Sequence, residues 1–289
     1  GGTSAGVIVH HERSPGMVYR VLVAVDTDED RALHQARYVA RFHDAPETVE
    51  ATVLYVYPRG RGPDDDAAAF SAVAAAAGAA EFLEEQGVPV TRRVERGEVS
   101  ARIVDAAEAV DADEIVVGGR KRSGVQKVLL GSTTQDVMLS TERPVTVTGG
   151  DVVLGDGIDR LLVPVDADAD RARHQAAYVA GLPGITDGVE VTVLYVFPHQ
   201  DYAGAPPHEF SEVDAAVAAA EYLDERDVTV DRVAVGGEVA RTIVERANDL
   251  GADGLVVGGR KRSGVQKVLL GSTATDVVLS VGRPVTLTG

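Results

Sequence analysis

Continuous apolar runs of strand length alternate along the chain with stretches whose apolar residues return at helical spacing. The runs are "RVLVAVD", "ATVLYVY", "VPVTRRVE", "DEIVVGG" and "RPVTVT", between Arg20 and Thr148. Unbroken Val, Leu and Ile suit strands covered on both faces, so the pattern predicts a parallel sheet with helices on either side. Helices are expected over Asp30 to Phe42, Asp65 to Gln86, Val99 to Ala109 and Ser132 to Ser140. The second is so rich in alanine that propensity alone favours it, and Phe70, Val73, Phe82 and Leu83 mark its core face. The order reads β-α-β-α-β-α-β-α-β.

Displacing the sequence against itself by 140 residues repeats this whole pattern. "VLVAVDTDEDRALHQARYVA" meets "LLVPVDADADRARHQAAYVA", "TVLYVYP" meets "TVLYVFP", "GEV" at Gly97 meets "GEV" at Gly237, and "RPVTVTG" meets "RPVTLTG". A period of that size is a complete small domain and not a solenoid unit. The expected organisation is two tandem doubly wound domains, each with a five-stranded parallel sheet, over residues 17–149 and 159–289. The Gly- and Asp-rich segment 150–158 reads as a linker, short enough that the halves should pack together as an internal pseudo-dimer. Residues 1–16 resemble neither copy and are expected to be an appended remnant, their apolar stretch being too short for a signal peptide.

Composition narrows the function. Of 289 residues 45% are hydrophobic, and 45 acidic against 28 basic side chains leave a net charge of -17. Such a surface repels nucleic acid and anionic membranes. Cysteine is absent, which excludes disulfides and thiolate chemistry, and no apolar run is long enough to span a bilayer. Surplus Asp, Glu and Ala with few aromatics suggest a salt-loving microbe and a cytoplasmic setting.

Against this acidic background, "GGRKRSGVQKVLLGST" occurs unchanged at Gly118 to Thr133 and at Gly258 to Thr273. All four lysines of the chain, Lys121, Lys127, Lys261 and Lys267, lie within these two copies. The segment follows the fourth strand, at the carboxyl edge of the sheet where ligands of open α/β folds sit. Gly118 and Gly131 let the backbone approach a ligand closely. Ser132 with Gln135 fits a capping box, so Gly131, Ser132 and Thr133 should open a helix whose free amides favour phosphate. Arg120, Arg122, Arg260 and Arg262 would add donors beside the lysines. The plain alternative is a solubilising strand-loop-helix connection. The segment is neither a Walker A element nor GxGxxG.

The loop, the strand pattern and the tandem arrangement resemble the universal stress protein family, whose nucleotide-binding members carry G-x2-G-x9-G-[ST]. The resemblance covers both copies almost from end to end. It places the motif on Gly118, Lys121, Gly131 and Ser132, with Thr133 following, and on Gly258, Lys261, Gly271 and Ser272, with Thr273 following. Lysine stands where the motif has its second glycine, so it either contacts phosphate or obstructs it. The resemblance implies a Rossmann-type three-layer α/β/α fold of the adenine nucleotide α-hydrolase-like group. It also implies that Asp26 and Asp166 face the adenosine, and that Ala24, Val56, Pro164 and Val196 wall the base, although ordinary sheet packing explains the last four equally well. ATP or AMP would be the ligand, with Mg²⁺ only alongside it.

Asp26, Asp28, Glu29 and Asp30, with Asp166, Asp168 and Asp170, form an acidic cluster at the same edge. Helix capping accounts for most of it, and oxygen coordination of Mg²⁺ is the alternative. His34 and His174 each stand alone and read as half-buried or interface histidines. No nucleophile elbow, zinc signature or activated nucleophile is present. The expected function is therefore regulatory: adenine nucleotide held at one loop per domain with little or no turnover. The alternative is a scaffold that no longer binds nucleotide and acts through protein contacts alone. Under either reading a further homodimer and an unidentified protein are the candidate partners.

Overall fold

The computed structural model describes residues 18–121, 128–149, 157–198, 209–262, 265–269 and 271–289. The expected N-terminal remnant, most of the linker, Arg122 and Lys127 lie outside the described residues. In the first domain the strands are β1 (Tyr19–Val25), β2 (Val49–Tyr57), β3 (Val90–Arg96), β4 (Glu114–Lys121), β5 (Val128–Leu129) and β6 (Val145–Gly149). Its helices are α1 (Glu29–Ala40), α2 (Ala45–Thr48), α3 (Asp66–Ser71), α4 (Ala74–Glu85), α5 (Val99–Ala109) and α6 (Ser132–Ser140). The second domain follows with β7 (Arg160–Val165), β8 (Glu190–Pro198), β9 (Thr229–Gly237), β10 (Gly254–Gly258), β11 (Arg260–Arg262), β12 (Val265–Leu269) and β13 (Val285–Thr288). Its helices are α7 (Ala169–Ala180), α8 (Asp214–Asp224), α9 (Val239–Asp249) and α10 (Ser272–Ser280).

The expected helix over Asp65 to Gln86 is two helices. Asp65 caps the first through Ala68 N at 2.8 Å, and the chain turns at Val73, whose backbone is extended at φ -104°, ψ 99°. With the turn there, Phe70 and Val73 are both buried, so a core contact overrides a propensity that would have run straight through.

The strand order is β3-β2-β1-β4-β6-β13-β10-β7-β8-β9. Within each domain neighbouring strands of this path run parallel. The two sheets meet through β6 and β13, which pair antiparallel with Thr146 opposite Thr286. The two expected parallel sheets join into one continuous sheet, because the last strand of each domain offers its free edge to the other. Strand order reverses between β1 and β4, and again between β7 and β10, which makes the carboxyl ends of those strands the natural ligand edge.

Two apolar layers cover the sheet. One contains Val21, Val23, Val53 and Val116 under α1 and α4, with the corresponding residues under α7 and α8. The other contains Leu22, Leu54, Ile115 and Val117 under α5 and α6, continued by Leu162, Leu194 and Leu255. The expected core residues Phe70, Val73 and Leu83 are buried, and Phe82 packs against the first layer.

Candidate functional site

At the end of β1 the chain turns through an Asx arrangement. Asp26 Oδ1 accepts from Asp28 N at 2.9 Å, and Asp28 Oδ1 caps α1 through Arg31 N at 3.0 Å. Arg31, in the first turn of α1, folds back onto both carboxylates, with Nη2 2.8 Å from Asp26 Oδ2 and 3.1 Å from Asp28 Oδ2. Its Nε donates to Asp26 Oδ1 at 3.2 Å. The second domain repeats this: Asp166 Oδ1 accepts from Asp168 N at 2.9 Å, and Arg171 Nε and Nη2 reach Asp166 Oδ2 at 2.9 and 2.7 Å. Helix capping thus explains Asp28 and Asp168, as expected.

The same arginine lies across the first motif glycine. A Cβ on Gly118 would collide with Arg31 Cγ and Cδ, and one on Gly258 would sit 3.3 Å from Arg171 Cδ. Gly118 is required here for close approach. Below it, Gln35 is buried and donates through Nε2 to Ala24 O at 2.8 Å and Val116 O at 3.1 Å. Gln175 does the same to Pro164 O and Val256 O, at 2.8 and 2.9 Å. Each glutamine therefore ties the two strands together at the reversal of strand order. Sequence reasoning missed both the arginine and the glutamine, although "HQA" recurs in both copies and was the available signal.

The capping box does not form. The N-caps of α6 and α10 are Gly131 and Gly271, with no side-chain cap, and Ser132 and Ser272 are the first helical residues. Gln135 instead uses its backbone, donating N–H to Gly131 O at 3.0 Å. No capping side chain competes for the first-turn amides, so the correction leaves this helix end more open to an anion than expected. Thr134 Oγ1 donates to Gly118 O at 3.5 Å, which joins the helix start to the end of β4.

The basic segment is more structured than a simple loop. Arg120 and Lys121 pair antiparallel with Leu129 and Val128, and in the second domain Arg260, Lys261 and Arg262 pair with Leu269, Val268 and Val265. A ribbon thus extends from the sheet edge.

Two buried hydroxyls lie beside the motif glycines. Thr148 is opposite Gly118 in the β4·β6 ladder, and Thr288 is opposite Gly258 in β10·β13. Both are buried, and neither Oγ1 has a hydrogen-bond partner among the described residues. An orphaned hydroxyl is costly, and here the cost recurs at the same place in both domains. Of the residues expected to wall a base, Val56, Val196 and Pro164 are buried and Ala24 is half-buried. His34 and His174 are half-buried. Among the described residues no group of three or more His, Asp or Glu could hold a metal ion, and no helix is long and apolar enough to cross a membrane.

The universal stress protein family model matches residues 17–149 and again residues 157–288. The chain belongs to the universal stress protein family. A universal stress protein of Mycolicibacterium smegmatis is 30% identical over 288 residues, covering 92% of this chain and 96% of that one. A Mycobacterium tuberculosis universal stress protein is 29% identical over 182 residues, 61% of each chain. A universal stress protein from Archaeoglobus fulgidus superposes with a TM-score of 0.66 at 22% identity, covering 93% of this chain and 97% of that one, which establishes a common tandem fold. These sequence relatives are mycobacterial and lend no support to the salt-loving source that the composition suggested.

Proposed function

We propose that this universal stress protein is a cytoplasmic regulator that holds one adenine nucleotide, ATP or AMP, at the strand-order reversal of each domain, with little or no turnover. One observation carries the reading. In the first domain an unbroken set of contacts runs from Asp26 through Arg31, Gly118 and Thr134 to the uncapped start of α6, with the unpartnered Thr148 hydroxyl beside it; the second domain repeats it except for Ala274 in place of Thr134. These residues fit the ligand: free amides and a helix dipole suit phosphate, and a carboxylate suits ribose or adenine donors. Mg²⁺ would be brought by the nucleotide, since among the described residues no group of three or more His, Asp or Glu is placed to hold it.

In this reading Lys121 and Lys261 reach the β or γ phosphate. Removing them by alanine should weaken ATP more than AMP, by about 1 to 3 kcal/mol at low salt. Molar salt should shrink the difference. Affinities of ATP and AMP for the parent, the alanine pair and the glycine pair test this. Tighter ATP binding by the Lys121→Gly, Lys261→Gly chain would mean that the lysines obstruct the site.

A scaffold without nucleotide is the second reading, favoured by Arg31 and Arg171, which already occupy the acceptors of Asp26 and Asp166. Co-purified ATP or AMP, sought by mass spectrometry of the protein as isolated, separates the two.

A further inference from the structure

The seam between the domains breaks the repeat that the two sites preserve. Thr146 and its counterpart Thr286 face each other, Oγ1 to Oγ1 at 2.7 Å, so the pseudo-twofold axis passes between them. Beside this axis Glu114 is fully buried. Its Oε2 accepts from Tyr19 at 2.7 Å and from Tyr178 of the second domain at 2.9 Å, and its Oε1 accepts from Tyr38 at 2.9 Å. Thr146 supplies a further hydroxyl, and Thr286 lies 3.4 Å from the Tyr178 hydroxyl. The counterpart of Glu114 is Gly254, and that of Tyr19 is Asp159.

Other positions differ in the same direction. Arg41, buried, donates to Gly157 O and pairs with Asp253 at 3.4 Å, where the second domain has Gly181. His43 packs onto Gly184 so closely that a Cβ there would collide with the His43 Cβ. The counterparts are Pro183 for His43 and Asp44 for Gly184. In these pairs the first domain reaches across and the second domain receives.

Like-with-like pairing in this geometry fails on both counts. Two first domains would set His43 of each against Asp44 of the other. They would also bring two Glu114 carboxyls to the axis, and each Tyr38 has only one hydroxyl proton to give to both. Two second domains would leave their tyrosines facing glycine. We propose that the side chains the first domain sends across the seam form a docking lock that accepts the second domain and rejects another first domain.

Burial raises the Glu114 carboxyl above its ordinary value, opposed by hydroxyl donors from Thr146, Tyr19, Tyr178 and Tyr38.

Hydrogen exchange of the full chain tests the lock, followed at residues 145–149 and 285–288 and corrected for chemical exchange, with β1 and β2 amides as a check on the fold. Gly184→Asp keeps a residue that tolerates left-handed backbone, as Asp44 does at φ 47°, yet should open the seam at least about tenfold. Adding His43→Gly, which removes the colliding Cβ, should restore protection. If Gly184→Asp exchanges like the parent, or the second change restores nothing, the selection of unlike domains is overturned.

Discussion

The two ligand edges and the seam have opposite relations to the duplication. At the edges the second domain repeats most contacts of the first: Asp26 and Asp166 held by Arg31 and Arg171, Gln35 and Gln175 across the strand ends, Thr148 and Thr288 beside the motif glycines, with Ala274 in place of Thr134 as the exception. At the seam the repeat fails at Tyr19, Arg41, His43 and Glu114, whose counterparts are Asp159, Gly181, Pro183 and Gly254. A duplicated function keeps its residues in both copies. A contact between the copies can be held by unlike residues, since one long side chain and one small receiving position suffice.

The sharpest break of this comparison is at Glu114. Glu114→Ala leaves three buried phenols without their acceptor and opens a void, which should cost about 3 kcal/mol or more in thermal or denaturant unfolding. Gly254→Ala, at the matching position, meets Leu161 Cδ2 at 3.3 Å and should cost less than about 1 kcal/mol. Equal losses would mean that the seam is symmetric in energy although not in sequence.

At the edges the expectation is equality. Gln35→Leu and Gln175→Leu each remove the donor to two strand-end carbonyls and should each cost about 1 to 3 kcal/mol. The two should agree within about 0.5 kcal/mol and add in the double variant. A large inequality would show that the domains have diverged at their ligand edges.

What the sequence made legible follows from locality. The strands could be read from their Val and Ile runs, and the start of α5 from "GEV", because short segments decide them. The turn at Val73 depends on burying Phe70 and Val73 in a core that no local window contains. The ribbon β11·β12 interrupts a segment that reads as loop because of its glycines and charges. Glu114 looked like the polar first residue of a strand; its burial depends on Tyr19, Tyr38 and Tyr178, from 64 to 95 positions away. Arg31 and Arg171 were hidden among solvated helix charges, which is the usual fate of such residues. The difference between Glu114 and Gly254 was present in the aligned copies and was the available sign of an unequal seam.

The smallest effect expected is at the caps of α5 and α9, where Glu98 accepts from Ala101 N at 2.7 Å and Ser100 N at 3.1 Å, and Glu238 from Arg241 N at 2.8 Å. Glu98→Ala and Glu238→Ala should each cost about 0.5 to 1 kcal/mol. The amide of Ala101 and the hydroxyl of Ser100 hold the Glu98 carboxyl below its ordinary value. Its contribution is therefore full above the ordinary carboxyl value and lost as pH falls through the lowered one. Unfolding curves of parent and Glu98→Ala should converge in acid, and a constant difference down to that range would remove the carboxylate from the cap.

The central claim, two equivalent nucleotide sites on an unequal seam, is tested most directly by calorimetric titration of the full chain with ATP. The account predicts about two nucleotides per chain, about one for Asp26→Ala and about one for Asp166→Ala. No heat at any salt, or binding by both variants indistinguishable from the parent, would contradict it.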